Sequence, residues 1–212
     1  FNREMEREAD AGSVGLLAGA GYDTKEIPVI WERLREEADH TAEARKTKSR
    51  KDKSGGIFAT HPPTKERVET LRAAALAQPG TPGATGDAEF RAAMRWHFPD
   101  FVEDQFKMND FGGSEFLLAS LARGGWTPEL LYARGELYRR QGDPDRLAMA
   151  AEFFGEAIAG GTTIPEAWRG RGLALMKLGQ QDAGRADLTE YLRRSPKAAD
   201  SRMIAMMAGA SS

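Results

Sequence analysis

The chain has 212 residues, 41% of them hydrophobic, with 30 basic against 32 acidic side chains and no cysteine. That composition excludes a disulfide framework, a thiolate nucleophile and cysteine-ligated zinc, and a net charge of -2 gives no support to non-specific nucleic-acid binding, which needs clustered positive charge. Apolar runs reach only a few residues, far short of the roughly 20 that cross a bilayer, so no membrane span is expected.

Residues 1–20 read as a helix rich in Arg and Glu that turns apolar at Val14, Leu16 and Leu17 and ends at Gly19 and Gly21. Asp23 is placed to cap a second helix, with Glu26 three residues on as in a capping box. There Ile27, Ile30, Trp31 and Leu34 follow the i, i+3, i+4, i+7 spacing of a buried face. Pro28 lies near the first turn, where its missing N–H costs little. From Thr41 to Gly56 the pattern stops. Arg45, Lys46, Lys48, Arg50, Lys51 and Lys53 form a basic run without the interleaved aromatics that stack on bases, and it reads as a solvated loop. Ile57–Thr60 reads as extended, His61-Pro62-Pro63 as a rigid turn, and Thr64 as the cap of a helix carrying Val68, Leu71 and Leu76. The Pro/Gly-rich residues 79–88 read as a linker and domain boundary between 1–78 and 89–212.

Beyond the linker the chain reads as helical and repeats itself. Gly135, Tyr138 and Gly142 precede Gly172, Leu175 and Gly179 by 37 residues, whereas Ala150, Phe154 and Ala157 precede Gly184, Leu188 and Tyr191 by 34. An insertion of Asp143-Pro144-Asp145 in the turn of the first helix pair accounts for the difference and leaves the ~34-residue period of a tetratricopeptide repeat. Small residues at Gly135/Gly172 and Ala150/Gly184 let paired helices approach, and large ones at Tyr138/Leu175 and Phe154/Leu188 fill the space between. Clear repeats span 128–162 and 165–196. A degenerate one covers about 94–125, with Phe101, Phe106, Leu118 and Leu121 as its stripe, and 198–209 reads as a capping helix packed through Met203, Met206 and Met207. Gly112-Gly113 and Gly124-Gly125 lack the strand–loop–helix context of phosphate loops and read as inter-helix turns. The first helix of each repeat offers Tyr132, Glu136, Arg139, Arg169 and Leu173 as contacts for an acidic or amphipathic peptide or partner loop.

Glu6 and Asp10 are four apart and share one helix face. Carboxylates at that spacing can ligate a metal and orient a neighbouring ligand. Taken alone, a helix so rich in Arg and Glu reads more simply as a salt-bridged surface. His40 reads as solvated and His97 as structural, while His61 could be a turn residue or a site residue.

The order of features carries more. Arg3, Glu6, Ala9 and Asp10 on one helix, then Gly21-Tyr22-Asp23, Trp31-Glu32-Arg33-Leu34, Phe58-Ala59-Thr60-His61-Pro62-Pro63 and Glu66-Arg67, follow in sequence. This arrangement resembles the second half of the catalytic domain of zinc metallopeptidases related to HtpX and to CAAX-prenyl proteases. It is most similar to their soluble bacterial periplasmic branch, in which a tetratricopeptide domain follows the protease. The resemblance implies a mainly α fold, the C-terminal part of a gluzincin-type metallopeptidase domain followed by a tetratricopeptide array. It implies one zinc ion with Glu6 as the third protein ligand and Asp10 supporting a zinc-binding histidine. His61 and Arg67 would lie beside the metal, stabilising the transition state or touching substrate or zinc-bound water. The implied activity is zinc-dependent endopeptidase cleavage of protein or peptide substrates in periplasmic quality control of outer-membrane proteins, with the array recruiting substrate or an assembly partner.

One departure from the family is severe. The chain has no His-Glu-x-x-His, its histidines being His40, His61 and His97, so these residues do not complete a catalytic zinc site. Because the sequence opens at Phe1, inside a motif, a missing preceding segment is expected in preference to a non-catalytic remnant. The alternative function is a non-catalytic tetratricopeptide scaffold for protein–protein interaction.

Overall fold

The computed structural model describes residues 3–49, 64–78, 83–94 and 97–209. They divide into two compact units, residues 1–104 with 110–113, and residues 105–109 with 114–212. In chain order the helices are α1 (Arg3–Gly19), α2 (Glu26–Ala44), α3 (Thr64–Leu76), α4 (Asp87–Met94), α5 (Phe98–Lys107), α6 (Phe111–Leu121), α7 (Pro128–Gln141), α8 (Pro144–Ala159), α9 (Glu166–Lys177), α10 (Gln181–Arg194) and α11 (Ser201–Ala208). Among the described residues the only extended pairing is a parallel bridge between Tyr22 and Ala84.

In the first unit, α3 contacts both α1 and α2. Val14 of α1 and Val68, Leu71 and Ala75 of α3 are buried, whereas Leu76 is 73% exposed, so the apolar face of α3 ends one residue earlier than the sequence reading has it. Helix α2 starts at Glu26 rather than directly after Asp23, because the Asp23 carboxylate accepts from the Lys25 N–H (3.0 Å) and closes a local turn instead of capping the helix. Its predicted apolar face is only partly covered: Ile30 and Leu34 are 56% and 47% exposed, and the buried positions are Pro28 and Ala42. The helix also continues past Thr41 to Ala44. It closes with Lys46 at φ 53, the left-handed position usually given to glycine.

The predicted linker does not coincide with the division between the units. Ala84 donates to the Gly21 carbonyl (3.0 Å) and accepts from the Asp23 N–H (3.1 Å), which ties the second half of 79–88 to the α1–α2 turn. A Cβ on Gly83 would lie 2.3 Å from the Gly21 oxygen, so only glycine allows that approach. Gly112-Gly113, expected as an inter-helix turn, instead lies in the first turn of α6. Asp110 caps this helix by accepting from the Gly113 N–H (3.1 Å), and the Thr41 hydroxyl of α2 donates to its other oxygen (2.6 Å). A Cβ on Gly112 would meet the His40 carbonyl oxygen at 2.3 Å, so the pair serves close packing. Gly124-Gly125 does fall at a turn, ending the 3-10 segment after α6.

In the second unit, consecutive helices from α7 to α11 contact one another, and α7 also contacts α9. Helix starts follow from their caps. Thr127 accepts from Leu130 N–H (3.3 Å) and Asp143 from Arg146 N–H (3.0 Å), each followed by a proline in the first turn. The fully buried Phe154 ring lies against Gly135 and Gly170, where added Cβ atoms would sit 2.7 and 2.3 Å from it. Gly172 meets Leu188 and the Gly184 carbonyl oxygen in the same manner, both at 2.9 Å.

The three-residue insertion is not in the turn. One residue separates Gly142 from α8 and one separates Gly179 from α10, so the extra residues lengthen the start of α8. In α5 and α6, Val102, Phe106 and Leu118 are buried while Phe101 and Leu121 are exposed. Helix α11 packs through the fully buried Ile204; of the three methionines Met203 and Met206 are 55% and 73% exposed, and only Met207 is half-buried.

Candidate functional site

Glu6 and Asp10 project from α1 onto the first turn of α3, where Arg67 receives both. The guanidinium of Arg67 bonds Asp10 with two parallel contacts, Nε to Oδ2 at 2.8 Å and Nη2 to Oδ1 at 2.6 Å. Its remaining nitrogen, Nη1, lies 3.0 Å from Glu6 Oε2. The three side chains are only 11–16% exposed, so the pairs are largely shielded from water. The Cζ of the same guanidinium lies 3.7 Å from the centre of the Trp31 ring on α2, a cation–π contact. A second pair, Arg7 with Glu66 (2.6 Å), joins α1 to α3 alongside. Three predicted site residues, separated by up to 61 positions, therefore meet at one point. Trp31 was read from sequence as part of a buried face and of the motif series that carries the family resemblance, and nothing in its spacing marks it as the partner of an arginine 36 residues away.

His61 lies outside the described residues. His40 is half exposed with Nδ1 4.0 Å from Glu43, and His97 is exposed, its ring 6.4 Å from that of Phe101. Among the described residues no group of three or more His, Asp or Glu side chains is arranged to hold a metal ion. A catalytic zinc takes three protein ligands. Glu6 and Asp10 supply carboxylates alone, and both Asp10 oxygens are committed to Arg67, so the described donor set does not fit a zinc ion by itself.

Residues 1–75 match the family model described as peptidase family M48. This stretch is similar to metallopeptidases. The match takes in α1 and α2 and nearly all of α3, hence every member of the Glu6–Asp10–Trp31–Arg67 cluster. No curated protein and no solved structure matches the chain.

Elsewhere in the first unit, a cavity of about 660 Å³ opens along α2, lined by Leu34, Glu37, Thr41, Ala42, Arg45 and Lys48. Burial, and secondarily the Asp110 carboxylate, push the Glu37 carboxyl above its ordinary pKa.

In the second unit the predicted peptide contacts fall on the contacting helices α7 and α9, but they are not equally open. Tyr132 and Glu136 are 7% and 4% exposed, and Leu173 is half-buried. Burial raises the Tyr132 phenol above its ordinary pKa. Arg139 donates to both oxygens of Glu136 (3.1 and 2.7 Å). Arg169 Nη1 donates to Asp200 Oδ2 (2.7 Å), and the Tyr191 hydroxyl donates to Asp200 Oδ1 (2.7 Å). Burial opposes ionisation of Asp200, but these two hydrogen bonds together with the Arg169 charge and a backbone hydrogen bond outweigh it and hold its carboxyl below the usual range. Burial, aided by the Asp200 carboxylate, pushes Tyr191 up to about 12. Asp200 and Tyr191 were not singled out as site residues. Both become visible only once α11 is seen folded back on α10.

Proposed function

We propose that residues 1–75 contribute the third-ligand helix of a zinc metalloendopeptidase and that the helical repeats after them recruit substrate or a partner. The observation that carries this reading is the meeting of Glu6, Asp10 and Arg67 inside the segment similar to peptidase family M48. In that role Glu6 would be one of the residues holding the metal, which would supply Lewis acidity and an activated water. Asp10 and Arg67 set the orientation of Glu6, and the Trp31 ring makes its cation–π contact with Arg67. The histidine ligands and the catalytic base that the resemblance implies, from a His-Glu-x-x-His, are not among the residues of this sequence. The family resemblance would add His61, which lies outside the described residues. The setting that accords with the sequence resemblance is the periplasm, in quality control or assembly of outer-membrane proteins.

The test is the zinc content of the complete gene product and of its Glu6→Gln variant. Zinc bound stoichiometrically by the parent and lost from the variant, together with loss of casein cleavage, supports the assignment. Equal zinc in both removes Glu6 from the site. A second reading, a non-catalytic interaction scaffold, is favoured by the charge compensation of Asp10 and Glu6 by Arg67. A zinc-free, proteolytically silent gene product would establish it.

A further inference from the structure

Helix α11 has eight residues, below the roughly 12–15 at which an isolated helix becomes even marginally stable in water. Its place depends on tertiary anchors, and two are evident. Ile204 is fully buried, and Asp200, at the N-terminal end of the helix, reaches Arg169 of α9 and Tyr191 of α10. An aspartate at that position ordinarily caps its own helix. Here it makes no capping bond, and both carboxylate oxygens are turned to donors on two other helices. Tyr191 is 1% exposed, whereas the Arg169 and Asp200 side chains are about one-quarter exposed, so the carboxylate position is open to solvent on one side. The outer face of α11 carries the exposed Met203 and Met206, where a terminal repeat ordinarily presents a polar face.

We propose that the surface made by Arg169, Tyr191 and the α10 face beneath Ile204 is a recognition site for an amphipathic helix of a partner protein, one with an acidic residue followed four positions later by an aliphatic one, and that α11 occupies this site in cis. The spacing is that of Asp200 and Ile204 themselves, one helical turn apart on one face. The guanidinium and phenol form a two-donor carboxylate cradle, which supplies specificity. The apolar contact at Ile204 supplies burial. A longer partner helix offers both anchors and further turns, so it can compete with an eight-residue occupant despite the high local concentration of the tethered segment. This deepens the recruiting role proposed for the repeats by stating the chemistry of what is recruited.

The probe is a fluorescein-labelled synthetic peptide of residues 197–209, titrated into the full chain and followed by anisotropy. The parent chain is expected to bind it weakly. Asp200→Ala combined with Ile204→Ser, which frees the site, is expected to bind at least tenfold more tightly, and adding Arg169→Ala is expected to remove that gain. A probe with Asn at the position of Asp200 is expected to bind at least fivefold more weakly than the parent probe. No gain in the double variant, with circular dichroism showing α7–α10 still folded, overturns the proposal. If the double variant unfolds, the single Asp200→Asn change decides instead: it keeps an acceptor for Tyr191, and absence of any gain there has the same meaning. A concentration-dependent dimer of the parent chain, lost in Ile204→Ser, would assign the site to a second copy's α11 and overturn the partner assignment. Failure of the recruiting role itself reads out separately, as a released chain that binds the probe while the gene product cleaves its substrates equally well without α11. The zinc measurement is independent of all these variants.

Discussion

Phe154 in the second unit is enclosed by glycines on α7 and α9, and the interior around it is built from apolar side chains that fit small residues on the facing helix. In the first unit the described apolar interior is sparse, chiefly Val14, Val68, Leu71 and Ala75, and the central contact is one guanidinium between two carboxylates. The contrast separates two ways of fixing helices. Apolar packing is non-directional and tolerates small adjustments of shape, while a buried ion cluster demands its partners and punishes the loss of any one. A cluster of that kind is weak evidence for stability and stronger evidence that three side chains must be held in a defined geometry.

The largest expected effect comes from breaking the ion cluster. Arg67→Ala leaves two shielded carboxylates facing each other and should cost about 3–5 kcal/mol, read as loss of amide protection in α1 and α3 by hydrogen exchange. A loss below about 1 kcal/mol would show the carboxylates to be well solvated and erase the contrast. Next comes the apolar counterpart. Gly170→Ala drives a methyl group into the Phe154 ring and should cost about 2 kcal/mol, confined to protection in α7–α10. An unchanged urea midpoint would mean that the ring can shift. Trp31→Leu should cost about 1 kcal/mol beyond the change in buried area, through loss of the cation–π contact. A double-mutant cycle with Arg67→Met, which removes the cation, measures that coupling, and additivity would exclude it.

The smallest effect concerns Glu37. Its folded pKa is raised, so the native state favours the protonated form and loses stability as pH rises from the unfolded value of about 4.3 through the folded one. Glu37→Gln should therefore stabilise at neutral pH by a few tenths of a kcal/mol, with the gain vanishing below about pH 4. Thermal melts of both proteins across that range check the sign.

What could be read from the sequence divides along the same line. Contacts within the helix pairs α7–α8 and α9–α10 were legible because the two stretches of sequence can be compared with each other: Gly135 against Phe154 and Gly172 against Leu188 fall at corresponding positions. The common face of Glu6 and Asp10 was legible from helical spacing. Their capture by Arg67, 57 residues beyond Asp10, was not a matter of spacing at all, and only the family resemblance brought the three together. Periodicity also located an apolar face on α2 without telling how much of it is covered, which is why Ile30 and Leu34 emerged exposed. The Pro/Gly run at 79–88 marked a break in helix, but backbone hydrogen bonds at Ala84 keep part of it within the first unit. Asp143 and Thr127 were not read as caps, although a cap is a local device whose chemistry lies within three residues.

The longer start of α8 has a consequence for how such arrays can vary. Three residues advance a helix by about 300°, only about 60° short of a full turn, so everything downstream keeps nearly the same face toward its neighbours. That is why Ala150 and Gly184 can remain equivalent although one lies three residues deeper in its helix. Two added residues would have swung Phe154 through about 200° and away from its glycines. Helical arrays thus have something like a reading frame, in which length changes near whole turns are silent and others scramble every contact that follows.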